Sequence, residues 1–267
     1  MIEVLRKRGI SNTKVLDIFR KVDRKFFLRS ENDGTIAADT GVTSPYADVP
    51  RPIGWKTTIS APGMHGETLQ HLYDKLKTAT SVLDIGTGSG FITAAMAQVA
   101  PDQATIYAVD HIQEINDFAK ANIQRICPHL LKKNKIQFVT QDGRQGLRAY
   151  NGQQLQYEVI HVGGQLNEIE DQEEYILPAN PTEQSRKIKV DRVLLDQLAP
   201  GGRMWIPLLS KESSSEINLL EQLLRGRGRD GFVHHEVYLI DRHPETKELS
   251  YKKIMDARYA QLRSVDE

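Results

Sequence analysis

With one cysteine, Cys127, the chain has no means of forming an internal disulfide, and a reducing, cytoplasmic setting is expected. It also lacks excess charge of either sign: Lys plus Arg and Asp plus Glu number 35 each. No global field draws in a polyanion, so nucleic-acid binding by bulk electrostatics is not expected. No apolar run approaches the roughly 18 residues that a membrane span needs. Met1-Ile2-Glu3-Val4-Leu5-Arg6-Lys7-Arg8 has neither the apolar core nor the cleavage site of a secretory signal. No internal repeat is visible. What remains is 267 residues with 39% hydrophobic and 26% charged side chains, the make-up of an ordinary globular protein able to bury a sizeable core.

Along the chain, Ser11 or Asn12 can cap a first helix whose apolar positions Val15, Ile18, Phe19 and Val22 recur at helical spacing. Residues 31–50 carry Gly34, Gly41, Pro45 and Pro50 without a period and read as a long loop. A second helix is expected from Pro62, with Leu69, Leu72, Tyr73 and Leu76 as its buried stripe. From Ser81 strands and helices alternate. Ser81–Ile85, Thr105–Val109, Ile136–Val139, Tyr157–Val162 and Arg203–Leu208 read as strands, with helices over Phe91–Val99, about 112–126 and Val193–Leu198. That rhythm predicts an α/β, doubly wound, mostly parallel sheet with its ligand at the carboxyl ends of the strands. Further on, Glu216–Leu224 and Phe232–Ile240 flank the Arg225 to Gly231 stretch, which reads as the turn of an antiparallel hairpin. Residues 165–190 shift from acidic to basic without a period and read as an insertion. Ile254, Met255, Tyr259 and Leu262 suggest a short amphipathic helix in the tail.

The chemistry gathers at Val82-Leu83-Asp84-Ile85-Gly86-Thr87-Gly88-Ser89-Gly90. A strand that delivers the backbone into a glycine turn lets a ligand approach where side chains would block it. The spacing is G-x-G-x-G and not the G-x-G-x-x-G of dinucleotide sites, which disfavours a dehydrogenase. A carboxylate at the entry of that turn is ill suited to a pyrophosphate but apt beside a cationic sulfonium carrying an ammonium group. Asp110, 20 residues past Gly90, ends the next strand, where a carboxylate can accept both hydroxyls of a ribose. Asp142-Gly143 follows the third strand and suits an adenine edge. Together these strand ends point to S-adenosyl-L-methionine.

Upstream, Pro52-Ile53-Gly54-Trp55-Lys56-Thr57-Thr58-Ile59-Ser60-Ala61-Pro62-Gly63-Met64-His65 resembles the signature of the protein-L-isoaspartate (D-aspartate) O-methyltransferases. The resemblance extends to Val22-Asp23-Arg24, Val109-Asp110-His111-Ile112, Gln141 to Gly146, Ile160-His161-Val162-Gly163 and Asp196 to Arg203. It implies a seven-stranded class I methyltransferase sheet with a C-terminal antiparallel hairpin, and a single domain over residues 1–267. In that domain 1–80 would be a helical and substrate-loop region, 81–245 the Rossmann-like core with its insertion, and 246–267 an extension. The implied activity is methylation of the free α-carboxylate of L-isoaspartyl residues in damaged proteins, initiating their repair, with S-adenosyl-L-homocysteine as product. Ser60 is implied as the catalytic contact. Thr57, Thr58, Ile59, Ser60, His65, Asp84, Ile85, Gly86, Thr87, Gly88, Asp110, His111, Asp142 and Gly143 are implied around the cofactor, with no metal. Damaged proteins or peptides are the implied partners, with no nucleic acid or membrane, and a monomer is expected.

Taken on its own residues, Ser60 reads as an N-cap for the Pro62 helix, and His65 as a packed helix histidine. His161, at a strand end, is open between packing and substrate contact. The chain departs from the family at Gly63, where many members carry His, and at Gly164-Gln165, where small alanines are usual. The 165–190 stretch, parts of the 31–50 loop and the tail depart as well. Two other functions compete: a non-catalytic adaptor that keeps the cofactor site, and a methyltransferase for RNA or a small molecule, since fold alone does not set substrate.

Overall fold

The computed structural model describes residues 1–29, 44–164, 174–177, 188–209 and 233–259. The expected Glu216–Leu224 strand, the Arg225 turn, most of the 165–190 insertion and most of the 31–50 loop lie outside these residues. The chain divides into two units, Met1–Gln141 and Asp142–Glu267.

In the first unit, α1 (Ile2–Lys7) and α2 (Thr13–Lys21) precede a short 3-10 turn over Arg24–Phe27. Asn12 is the cap of α2: its side chain accepts the N–H groups of Lys14 and Val15. Val15, Ile18, Phe19 and Val22 are buried, as their spacing requires. β1 (Arg51–Gly54) and β2 (Thr57–Ile59) form an antiparallel hairpin. Sequence periodicity missed it because its turn residues, Trp55 and Lys56, both take positive φ (50° and 56°) without being glycine or asparagine. α3 (Pro62–Leu76) starts at its proline and buries Leu69, Leu72 and Leu76, whereas Tyr73 stays half-buried.

β3 (Ser81–Ile85), α4 (Phe91–Val99), β4 (Thr105–Asp110), α5 (Gln113–Ile126), α6 (Pro128–Lys132) and β5 (Ile136–Thr140) complete the unit. Its three strands lie parallel in the order β3-β4-β5. Val82, Leu83, Ile85, Ile106, Ala108 and Val109 are fully buried, which is why β3 and β4 read as continuous apolar runs and not as alternating ones. Phe91, the first residue of α4, ties the N-terminal helices to this layer. Its ring stacks on Phe19 at 5.6 Å, meets Phe27 edge-on at 5.4 Å and lies 4.9 Å from His65. Aromatic pairs of this kind contribute about 0.5–1.5 kcal/mol each beyond area burial.

The second unit holds β6 (Ala149–Tyr150), β7 (Gln153–Gln154), β8 (Tyr157–Val162), β9 (Glu174–Ile176), β10 (Lys189–Asp191), α7 (Arg192–Gln197), β11 (Leu198–Leu209), β12 (Val233–Arg242) and β13 (Leu249–Tyr259). β8 and β11 are parallel, while β11–β12 and β12–β13 are antiparallel. The main sheet is seven-stranded and mixed, as the α/β doubly wound expectation required. The tail is a correction. Leu249–Tyr259 is a strand and not an amphipathic helix, because β12 pairs along its whole length with these residues. No helix among the described residues is long and apolar enough to cross a membrane.

Candidate active site

Every implied site residue except Asp142 and Gly143 falls in the first unit. Thr57, Thr58 and Ile59 form β2, and Ser60 stands between β2 and α3. Ile59 is buried and anchors the end of the strand. Ser60 does not cap α3. The cap position is Ala61, which offers no side-chain hydrogen bond. The free N–H of Gly63, in the first turn, is satisfied instead by Asp48 Oδ1 at 2.7 Å, a residue whose other oxygen is paired with Arg8. That pairing explains the departure at Gly63. A Cβ there would lie 2.9 and 3.0 Å from the Asp48 oxygens, so any larger side chain would displace the cap. The Ser60 hydroxyl is half-buried and makes no hydrogen bond among the described residues.

The Ser60 backbone is held by a residue that sequence reasoning quoted but did not place in the site. Arg24 is fully buried. Its guanidinium donates from Nη1 to the Ser60 carbonyl at 2.6 Å, from Nε to the Pro45 carbonyl at 3.0 Å and from Nη2 to the Val49 carbonyl at 3.4 Å. Burial, together with the nearby positive charge of Arg51 and against the pull of Asp48, lowers its pKa to about 9. Only the position of Arg24 beside an aromatic-rich 3-10 turn could have flagged it in the sequence.

The glycine turn follows β3. Gly86, Gly88 and Gly90 all have positive φ (81°, 54° and 81°), which only glycine adopts without strain. The N–H groups of Gly86 and Thr87 both reach the Val109 carbonyl, at 2.8 and 3.2 Å, locking the turn to β4. Two of the glycines serve different ends. A Cβ on Gly90 would strike Ala119 of α5 at 3.0 Å, so Gly90 permits close helix packing. A Cβ on Gly88 would meet nothing nearer than 3.8 Å, its neighbours being the Gly86 carbonyl and Ile53 of the β1–β2 hairpin. A Cβ at Gly88 would thus make only ordinary contacts, beside the hairpin that leads to Ser60. Thr87 is almost fully buried, yet its Oγ1 has no partner among the described residues.

Both carboxylates of the turn are preset. Asp84 is fully buried and accepts the Thr93 hydroxyl at 2.5 Å, which fixes the end of β3 to α4. Thr93 was not singled out from the sequence, although its place one turn into the following helix was the available signal. Asp110 Oδ2 accepts Gly88 N–H at 3.1 Å and Oδ1 accepts Ile112 N–H at 3.4 Å, with His111 Nδ1 3.2 Å from Oδ1. A carboxylate has about four acceptor positions, so Asp110 keeps capacity for ribose hydroxyls. His65 is buried against Phe91, and Ile85 is buried at the end of β3.

In the second unit, Asp142 caps a 3-10 turn over Gly143–Gln145 and accepts the Arg144 backbone N–H at 3.0 Å. Its oxygens also take the Arg144 guanidinium, with Nη2 at 2.7 Å from Oδ2. Gln197 of α7 holds the following segment. Its Oε1 accepts Leu147 N–H at 2.7 Å, and its Nε2 donates to the carbonyls of Gln145 at 3.1 Å and Val193 at 2.8 Å. His161 is buried within β8. Among the described residues no group of His, Cys, Asp and Glu has the arrangement of a metal site.

Ser60 follows a hairpin whose Ile53 lies beside the glycine turn, and comparison with known proteins decides the family. The model of the protein-L-isoaspartate(D-aspartate) O-methyltransferases matches residues 1–173. The chain belongs to that family. Protein-L-isoaspartate O-methyltransferase 2 of Arabidopsis thaliana is 34% identical over 210 residues, covering 78% of this chain and 56% of its own length. The Caenorhabditis elegans protein-L-isoaspartate O-methyltransferase is 27% identical over 237 residues, covering 88% and 93%. The chain thus spans little more than half the length of some relatives and nearly all of others. A Plasmodium falciparum structure named as a protein-L-isoaspartate O-methyltransferase, in complex with S-adenosyl-L-homocysteine, superimposes with a TM-score of 0.68 at 22% identity. It covers 98% of this chain and 96% of the other. At that identity the superposition shows the shared methyltransferase fold.

Proposed function

We propose that this member of the O-methyltransferase family methylates the free α-carboxylate of L-isoaspartyl residues in damaged proteins, with S-adenosyl-L-methionine as donor. The observation that carries the proposal is the Ser60 hydroxyl. It is held by its backbone at the junction of β2 and α3, is engaged by no internal hydrogen bond among the described residues, and ends the hairpin whose Ile53 faces Gly88.

The residues present fit the donor. A Cβ at Gly88 would meet only ordinary contacts, and the buried Thr87 hydroxyl has no partner among the described residues. When bound, the donor supplies an electrophilic methyl carbon on a positively charged sulfur. Asp84 would set the negative potential at the amino-acid end, Asp110 with His111 beside it would hold the ribose, and Asp142 with Gly143 the adenine edge. Thr57, Thr58, Ile59, His65, Ile85, Gly86, Thr87 and Gly88 would line the remainder.

The acceptor needs no general base. An isoaspartyl α-carboxyl has a pKa of roughly 3.5 and is ionised at neutral pH. What the chain must supply is orientation and the exclusion of water that would solvate the anion. The Ser60 hydroxyl donates a hydrogen bond that aims the carboxylate, and attacks nothing. The ester is expected, from the family, to collapse to a succinimide that partly reopens as normal aspartate. The test is transfer of labelled methyl to an isoaspartyl peptide, with the normal aspartyl peptide as control. Transfer to the first only is expected; equal labelling of both, or of neither, would overturn the assignment.

A further inference from the structure

The arginine beneath Ser60 is built in a way that its burial alone does not explain. A buried guanidinium is costly unless it is paired, yet no carboxylate lies within ion-pair distance of Arg24 among the described residues. Its partners are three neutral carbonyls from two separate stretches of chain, Pro45 and Val49 on one side and Ser60 on the other. The shortest bond, 2.6 Å, goes to Ser60. Only two residues, Ser60 and Ala61, separate the end of β2 from the first turn of α3. Ile59 is locked by burial and Pro62 by its ring. The carbonyl of Ser60 is therefore the remaining handle on the Ser60–Ala61 peptide, and the orientation of that peptide sets where the Ser60 Cβ–Oγ bond points. Because the hydroxyl has no internal hydrogen bond of its own, nothing else on its side chain corrects an error in the backbone.

We propose that Arg24 is a positioning residue for methyl transfer: its planar fork fixes the Ser60 peptide against the 45–49 segment, and so aims the Ser60 hydroxyl at the acceptor carboxylate. The inference rests on the reading of Ser60 as the acceptor contact. A lysine could keep the charge and one of the three bonds but could not span both stretches, since its ammonium is a point donor without a fork. Apart from Ser60, Arg24 donates no hydrogen bond among the described residues to a group that would hold the donor. Its loss should therefore reach the transfer step and leave donor binding alone.

The test compares Arg24→Lys, Ser60→Ala and the double variant with the unsubstituted chain. It measures kcat and KM on an isoaspartyl peptide and Kd for S-adenosyl-L-homocysteine by calorimetry. Arg24→Lys should lower kcat by roughly 10- to 100-fold, the loss that accompanies a misplacement of about 1 Å, with Kd changed less than about twofold. In the Ser60→Ala background the same Arg24→Lys change should have almost no further effect, because a residue acting through Ser60 has nothing left to aim. Additive losses in the double variant would overturn the proposal. So would a Kd for the homocysteine product that weakens in step with kcat, or an Arg24→Lys chain that does not fold, since either makes Arg24 a general support of the fold. If the unsubstituted chain transfers no methyl to the peptide, the reading of Ser60 itself fails and takes this proposal with it. If it transfers normally and Arg24→Lys matches it, only the positioning role is lost.

Discussion

Gly63 offers a perturbation whose sign depends on one neighbouring side chain. It occupies the second position of α3 with an ordinary φ, so alanine carries no backbone penalty there. The obstacle is Asp48, which caps the Gly63 N–H at 2.7 Å. An added Cβ would sit 2.9 and 3.0 Å from its two oxygens and 3.1 Å from Arg8 Cγ. Gly63→Ala must therefore push the cap aside. Losing a capping carboxylate costs about 0.5–2 kcal/mol, and disturbing the ion pair to Arg8, itself 59% exposed, adds at most about 1 kcal/mol. Alanine returns about 0.4–1 kcal/mol by narrowing the unfolded ensemble. The expected net is a loss of about 1 kcal/mol, roughly 2–4 °C in Tm. In an Asp48→Ala background the cap is already gone, so the same Gly63→Ala change should stabilise by about 0.5–1 kcal/mol. Urea denaturation of the four chains of this double-mutant cycle, followed by circular dichroism, reads a coupling of about 1–2 kcal/mol. The same sign and size of effect in both backgrounds would refute the claim that Asp48 is what requires glycine at this position.

Ser60→Ala should cut kcat by about 10-fold or more while leaving Kd for S-adenosyl-L-homocysteine within about twofold, because the lost hydrogen bond serves the acceptor; equal loss of both would remove Ser60 from that role. The second and third glycines of the turn should differ in effect. Both substitutions carry the strain of a positive φ, but Gly88→Ala adds only ordinary contacts and should weaken binding of the homocysteine product more than it lowers Tm. Gly90→Ala, 3.0 Å from Ala119, should lower Tm by several degrees, and the reverse ranking would contradict the assignment of the cradle. Asp110→Ala should weaken the same ligand by roughly 10- to 100-fold, since it removes charge-assisted bonds and frees the Gly88 N–H it now accepts. Burial raises the pKa of the Cys127 thiol, so a neutral thiol reagent should modify the native chain slowly and the urea-unfolded chain fast; rapid labelling of the native chain would contradict the buried placement.

The parts of the fold that could be read from sequence are those whose neighbours repeat the same message. β3, α4, β4, α5 and β5 have apolar runs, a glycine turn and caps that agree, and their observed bounds fall within a residue or so of the expected ones. The β1–β2 hairpin was hidden because Trp55 and Lys56 at its turn break the usual turn chemistry. The tail misled for a physical reason. The register between β12 and β13 steps at Val237 and Tyr238, which pair with Met255 and Lys253. Ile254 is thus the extra residue of a bulge. That insertion sets two apolar residues side by side, spoils the period-two alternation and mimics helical spacing. Within the candidate site, the glycines and aspartates stood out in the sequence because each lies at a strand end or in the turn that follows it. Arg24, Asp48 and Gln197 did not, because each acts on a segment distant in sequence, and one chain without its fold gives no sign of which carbonyl or N–H a side chain will meet.

The hydrogen bonds around the candidate site divide in a way that bears on the chemistry. On the donor side the charged groups are already engaged: Asp84 by the Thr93 hydroxyl, Asp110 by the N–H of Gly88. Such carboxylates have their geometry fixed before any ligand arrives, which suits stabilisation of a fixed positive centre. On the acceptor side the pattern is the opposite. The Ser60 hydroxyl has no internal partner among the described residues, while its backbone is gripped at 2.6 Å. A hydroxyl meant to act as a nucleophile would need an adjacent base within hydrogen-bond reach to take its proton, and none is bonded to it among the described residues. A hydroxyl meant to donate to an anion needs only a fixed origin and a free proton. The second arrangement is the one found among the described residues, and it is the one that the proposed, already ionised acceptor would need.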